Sequence, residues 1–166
     1  MSYVALLRGI NLGKKNKVDM KSLKALFQEM GFQNVRTYIQ TGNVLFEELI
    51  CDEQQIELQL KETFGFDIPV TVRPKEVLEK IQQHPLFTKD NVYILFLKTP
   101  ISNEQLELIK EVVDDEFEVI DQQNIIIHLS KNFHQTKYNN AFFERKLQTR
   151  STIRNRNTVD KIIRNK

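Results

Sequence analysis

The chain has 166 residues, 40% of them apolar and 28% charged, with a net charge of +2. That length can bury a core without a metal or disulfide staple, and the single Cys51 excludes a disulfide scaffold and fits a reducing compartment. The longest apolar run, Val92 to Leu97, is too short for a membrane helix, and the first residues carry no basic-then-apolar leader, so a cytoplasmic protein with no membrane partner is expected.

Tyr3 to Arg8 reads as a strand that is apolar on both faces and therefore buried. A polar loop, Gly9 to Val18, leads to Asp19, a helix N-cap. Leu23, Leu26, Phe27 and Met30 form one helical face, and Gly31 stops it. Val35 to Ile39 and Val44 to Glu47 are β-rich runs around Thr41-Gly42-Asn43, a hairpin signal with Gly42 free to take positive φ. Asp52 and Gln55 have capping-box spacing before a helix with Ile56, Leu60 and Phe64 on its inner face. Ile68 to Arg73 is a further strand. The order β-α-β-β-α-β is the ferredoxin-like unit.

The second half starts the same series again. Pro74 opens a connecting helix, and Val92 to Leu97 is a buried strand. Ser102 and Gln105 form a capping box. Phe117 to Ile120 and Asn124 to Leu129 make a hairpin. Helices over Asn140 to Leu147 and Thr158 to Asn165, the latter capped by Asn157, take the place of the last strand. The expected fold is α+β: two packed ferredoxin-like halves, residues 1–73 and 74–166, the second ending in helices and a basic tail. Leu7, Leu26, Phe46, Leu60, Leu95 and Ile126 are expected in the core.

The small net charge hides an asymmetry. Residues from Lys131 onward hold ten bases and two acids, whereas residues 1–130 hold fourteen bases and twenty acids. A second basic island, Arg8 to Lys24, holds six bases against Asp19. Two such islands on an acidic body point to an anionic partner.

Three blocks carry a family resemblance. They are Ala5-Leu6-Leu7-Arg8-Gly9-Ile10-Asn11-Leu12-Gly13 with Lys17; Thr37-Tyr38-Ile39-Gln40-Thr41-Gly42-Asn43-Val44-Leu45-Phe46; and Asn140 to Leu147 followed by Thr152 to Thr158. Together they resemble the bacterial domain-of-unknown-function 1697 family, with a departure at Arg156, where the family pattern has Trp. The resemblance implies a cytoplasmic α+β protein with a duplicated ferredoxin-like core, and it implies no activity.

Gly9 to Lys14 lies between a strand and a helix, as a phosphate loop would. It has three residues between its glycines rather than four, and Lys15 where a Ser or Thr should follow the lysine, so a nucleotide-hydrolysing P-loop is rejected. Backbone amides and lysines holding an anion is one reading of this loop, and a glycine turn leaving a buried strand is the other. Thr149 to Thr158 ends at a helix N-terminus, where Arg154 and Arg156 would add fork-shaped donors suited to phosphate. Val92 to Leu97 matches an RNA-binding strand only weakly, and Tyr93 is expected in the core. The histidines have no zinc spacing, Cys51 has no histidine near it in sequence, and no cofactor or metal is expected.

The expected function is binding of an anionic, phosphate-bearing small molecule by Arg8, Asn11, Lys14, Lys17, Arg154, Arg156 and Asn157. Two alternatives stay open: an enzyme acting on a phosphorylated substrate, with Tyr38, Gln40 and Asn43 as polar groups, and a binder of nucleic-acid backbone. No residue pattern names a reaction or an oligomeric state.

Overall fold

The computed structural model describes residues 1–165. The chain divides into two compact units, Met1–Val77 and the remainder from Leu78. The first unit runs β1 (Ser2–Leu7), α1 (Met20–Glu29), β2 (Gln33–Tyr38), β3 (Asn43–Glu47), α2 (Glu53–Phe64) and β4 (Val70–Pro74). A helix, α3 (Lys75–Gln82), and a 3-10 turn, Pro85–Thr88, follow. The second unit runs β5 (Val92–Leu97), α4 (Asn103–Val112), β6 (Glu116–Asp121), β7 (Asn124–His128), α5 (Asn140–Leu147) and β8 (Ser151–Asn155), and closes with α6 (Arg156–Arg164).

Each unit forms one four-stranded antiparallel sheet, in the orders β2-β3-β1-β4 and β6-β7-β5-β8. The two orders are the same permutation, and each unit is a complete ferredoxin-like βαββαβ. The match extends to register. Val4 faces Arg73 as Ile94 faces Arg154, and Leu6 faces Asn43 as Phe96 faces Asn124. The same alignment puts Thr71 level with Thr152, and all six of these polar residues are buried.

The helix-covered faces hold the cores. In the first unit Ala5, Leu7, Val44, Phe46 and Val70 pack with Leu23, Leu26, Phe27, Ile56 and Leu60. In the second, Leu95, Leu97, Ile125 and Ile127 pack with Ile109, Phe142, Phe143 and Leu147. The six residues expected in the core are all buried.

One edge strand of each sheet, β4 and β8, meets a carboxylate of the preceding helix. The outward amides of β4, Val70 N and Val72 N, donate to Glu57 Oε2 at 2.9 Å and Glu53 Oε2 at 2.6 Å of α2. The Ser151 amide of β8 donates to Glu144 Oε2 of α5 at 2.8 Å, and the Ser151 hydroxyl reaches Asn140 Oδ1 at 2.7 Å. A carboxylate over an edge amide satisfies the donor and denies it to another strand.

Four local expectations need correction. The second half does not lose its last strand: Ser151–Asn155 is β8, paired along β5. Its polar residues hid it, because Ser151 and Thr152 are buried by hydrogen bonding and pairing rather than by apolar character. The strand therefore runs into α6, whose N-cap is Asn155, accepting from Thr158 N at 3.0 Å, and not Asn157. Pro74 ends β4 instead of opening α3; an edge strand tolerates a residue with no amide proton. Asp52 caps α2 through Gln54 N at 3.0 Å, one position short of the box geometry that Ser102 and Gln105 do achieve at α4.

Candidate functional site

In the first unit twelve residues, 8–19, join β1 to α1, and the sequence ties them down closely. The Asn11 amide group acts as a clamp. Its Oδ1 accepts from Val18 N at 2.9 Å, and its Nδ2 donates to Val18 O at 3.0 Å and to Gln40 O at 2.9 Å. Leu12 and Lys15 exchange backbone hydrogen bonds of 3.1 and 2.9 Å around a Gly13-Lys14 turn. Asn11 N donates to Asn16 O, and Asn16 Nδ2 donates to Gly9 O, both at 2.9 Å. Asn11 and Asn16 sit at positive φ, which asparagine accepts more readily than other side-chain-bearing residues. The amides of Asn11, Leu12, Lys15 and Val18 are thus used within the loop. What the loop offers outward is Lys14, Lys15 and Lys17, all exposed. Among the described residues none of the three is in an ion pair.

A second loop, Ile39 to Gly42, joins β2 to β3 beside it. Leu7 N donates to Gly42 O at 2.9 Å, and a Cβ on Gly42 would stand 2.8 Å from both Leu7 Cβ and Ile10 Cδ1. Glycine at φ +95 is what lets the two loops close. Asn43 is wholly buried and gives its Nδ2 to Tyr38 O at 2.9 Å and Thr41 Oγ1 at 3.2 Å, so it builds the turn. Ile39 is the anomaly. It holds φ +50, a conformation that costs a β-branched residue on the order of 1–3 kcal/mol. Yet it is 44% exposed, and on the adjoining loop Leu12 is 58% exposed.

The seven expected site residues therefore fall into two groups. Arg8, Asn11, Lys14 and Lys17 share the β1–α1 loop of the first unit, with Asn11 as its frame. Arg154, Arg156 and Asn157 belong to β8 and α6 of the second. Arg154 is not on a surface loop: it is 9% exposed in the middle of a strand, with NH1 on Ile153 O at 3.2 Å. Burial pushes its guanidinium down to about 10, so it stays charged at neutral pH. Arg156 opens α6 and stands 3.6 Å from Asp90 Oδ1. Asn157 is exposed in the first turn.

Part of the basic C-terminal stretch is engaged with the fold, while Lys131, Arg150 and Lys161 are exposed. Arg164 pairs with Asp160 at 3.0 Å. Lys137 lies over the Tyr138 ring, and Arg145 and Lys146 over Phe142, at 5.4 to 6.0 Å. The first-unit loop is distinguished by bringing three exposed lysines, Lys14, Lys15 and Lys17, together on one braced backbone. The signals that mark it in sequence are the lysine spacing and the Asn-Leu-Gly turn. The strained Ile39 has no sequence signal.

Other candidate groups serve the structure. The Cys51 thiol is half-buried and pushed up to about 12, by burial first and then by Glu53, Asp52 and Glu48, so it is no nucleophile at neutral pH. His84 Nδ1 accepts from Leu86 N at 3.1 Å, and His128 Nδ1 meets Glu116 Oε1 at 3.0 Å. Tyr93 stacks on Phe133 with ring centroids 4.7 Å apart. Among the described residues no cluster of His, Cys, Asp and Glu could hold a metal ion, and no helix is long and apolar enough to cross a membrane.

Comparison with known proteins agrees with this architecture. Residues 1–124 match the model of a family described as "Protein of unknown function (DUF1697)". The solved structure of the conserved bacterial protein SP0830 from Streptococcus pneumoniae is similar to this chain at 26% identity, with a TM-score of 0.71. The match covers 98% of this chain and 97% of that one. No curated protein matches the chain.

Proposed function

The chain belongs to the DUF1697 family of proteins of unknown function, and from its own residues we propose that it binds a phosphate-bearing small anion at the β1–α1 loop of the first unit. The observation that carries this is the pairing of a rigid frame with free charge: Asn11 and the Leu12–Lys15 turn fix the backbone, and Lys14, Lys15 and Lys17 project from it unpaired. A loop whose backbone is already ordered loses less freedom on binding than a mobile one. The first unit holds ten basic and ten acidic residues, and six of the bases with one of the acids lie in 8–24. A compact anion meets that island alone, whereas a long polyanion would run onto the acidic remainder.

The test is calorimetric titration of the full chain with inorganic tripolyphosphate, beside a Lys14→Ala/Lys15→Ala/Lys17→Ala variant. The expected result is saturable binding that weakens at least tenfold in the variant while the melting temperature holds. Equal binding by the two proteins removes the loop from the site. Tight binding of single-stranded RNA or DNA at physiological salt, with a steep salt slope, would replace the small-anion reading with a nucleic-acid one. The enzyme alternative loses a member in Asn43, whose amide is occupied in the turn.

A further inference from the structure

Ile39 is strained, and its strain is not offset by burial. A β-branched side chain at φ +50 is disfavoured wherever it occurs, and a core residue could recover the cost by packing. This one leaves 44% of its surface in water. Asparagine or glycine would sit there without strain, as Asn11, Asn16 and Gly42 do at neighbouring positive-φ positions. An exposed aliphatic group held at a conformational cost is a mark of a contact surface.

Its setting says what is contacted. Asn11 Nδ2 binds Gln40 O, so the residue after Ile39 is fastened to the residue before Leu12. Two exposed aliphatic side chains thus stand on adjoining loops, and the second loop carries Lys14, Lys15 and Lys17. In the second unit the corresponding turn, Gln122-Gln123, has no residue at positive φ and no exposed large apolar side chain. The apolar pair therefore occurs where the cations are.

We infer that the anion bound at this loop is amphiphilic: a nucleoside phosphate, its phosphates on the lysines and its base against Leu12 and Ile39. The inference rests on the anion-binding reading and adds a second contact to it. Two exposed aliphatic side chains are an apolar contact of limited size, which suits a single ring system. A bilayer would call for a larger apolar surface beside the charges.

The experiment compares ATP with inorganic tripolyphosphate, ligands of similar charge that differ in the apolar moiety, by calorimetry on the full chain. Wild type should bind ATP at least tenfold tighter. Ile39→Asn and Leu12→Asn should each bring ATP close to the tripolyphosphate affinity and leave tripolyphosphate itself unchanged. Ile39→Asn should melt at or above the wild-type temperature, by about 2–4 °C, which separates lost contact from lost fold. Equal wild-type affinity for the two ligands would overturn the apolar contact while the anion site stands. Failure of both to bind would overturn the site and the inference together. Binding to phosphatidylglycerol vesicles with no binding of ATP would also overturn it, in favour of a lipid headgroup.

Discussion

The two halves share a frame and differ at one corner. Both have the same strand order, the same buried Asn, Thr and Arg at matched registers, and the same carboxylates over an edge strand. Even the corner hydrogen bonds correspond. Leu7 N reaches Gly42 O as Leu97 N reaches Gln123 O, and Arg8 N reaches Pro69 O as Lys98 N reaches Arg150 O. On that frame the first half carries a twelve-residue loop after its first strand, and the second carries five residues, 98–102. The first has a four-residue turn with Ile39 strained; the second has Gln122-Gln123. What both halves keep is what a ferredoxin-like sheet needs. What one half adds, against the grain of local stability, is where function is to be sought.

The sharpest way to break this comparison is at the turn. In Gly42→Ala, positive φ and a Cβ 2.8 Å from Leu7 Cβ act together, and Leu7 Cβ cannot swing aside. The expected cost is roughly 2–4 kcal/mol. At the matching position Gln123→Ala keeps the backbone donors and should change stability by less than about 1 kcal/mol. Urea denaturation of both variants checks the contrast. Equal costs would mean that the two corners are not built differently.

How much of this was legible in sequence follows from what each residue says by itself. The capped helices α1 and α4, the strand Val92–Leu97 and the hairpin around Gly42 are local signals, and they read correctly. β8 was not legible because Ser151-Thr152-Ile153-Arg154-Asn155 has one apolar residue in five, and its burial depends on pairing with β5, far off in the chain, and on Glu144 and Asn140 of α5. The α6 cap and the place of Arg154 both follow from that strand, which puts the cap on Asn155 and Arg154 within the sheet. The basic loop was legible as charge. Its rigidity was not, because nothing in a lone Asn11 shows that it will bridge Val18 and Gln40. The register match between the halves rests on positions whose surroundings differ in sequence, so element order carried the duplication alone.

A middle-sized effect tests the shared part of the frame. Glu57→Ala would leave the Val70 amide without this acceptor, and Glu144→Ala would do the same to Ser151. Each should cost about 1–2 kcal/mol. If the edge device is common to both halves, the two losses should agree within about 0.5 kcal/mol. Chemical denaturation reads both, with Glu57→Gln and Glu144→Gln as controls that keep an acceptor. A silent Glu144→Ala beside a costly Glu57→Ala would confine the device to the first half.

The smallest effect separates the first helices of the two halves by pH. α1 is capped by Asp19, whose Oδ2 accepts from Ser22 N at 3.1 Å and Ser22 Oγ at 3.0 Å. These bonds hold its carboxyl below the usual aspartate range, the hydroxyl contributing most. α4 is capped by Ser102 in a reciprocal box with Gln105, and neither side chain titrates. Asp19 binds its proton less readily folded than unfolded, so its contribution is complete above about pH 3.9 and is lost as pH falls through the folded value. Amide protection factors in the first turn of α1 should therefore decline in that window while those of α4 hold. Asp19→Asn keeps a capping oxygen without the charge, so its α1 protection should be flat with pH. An acid-induced loss that persists in Asp19→Asn would place its cause outside the cap, and the two helices would then differ in their packing and not in how they begin.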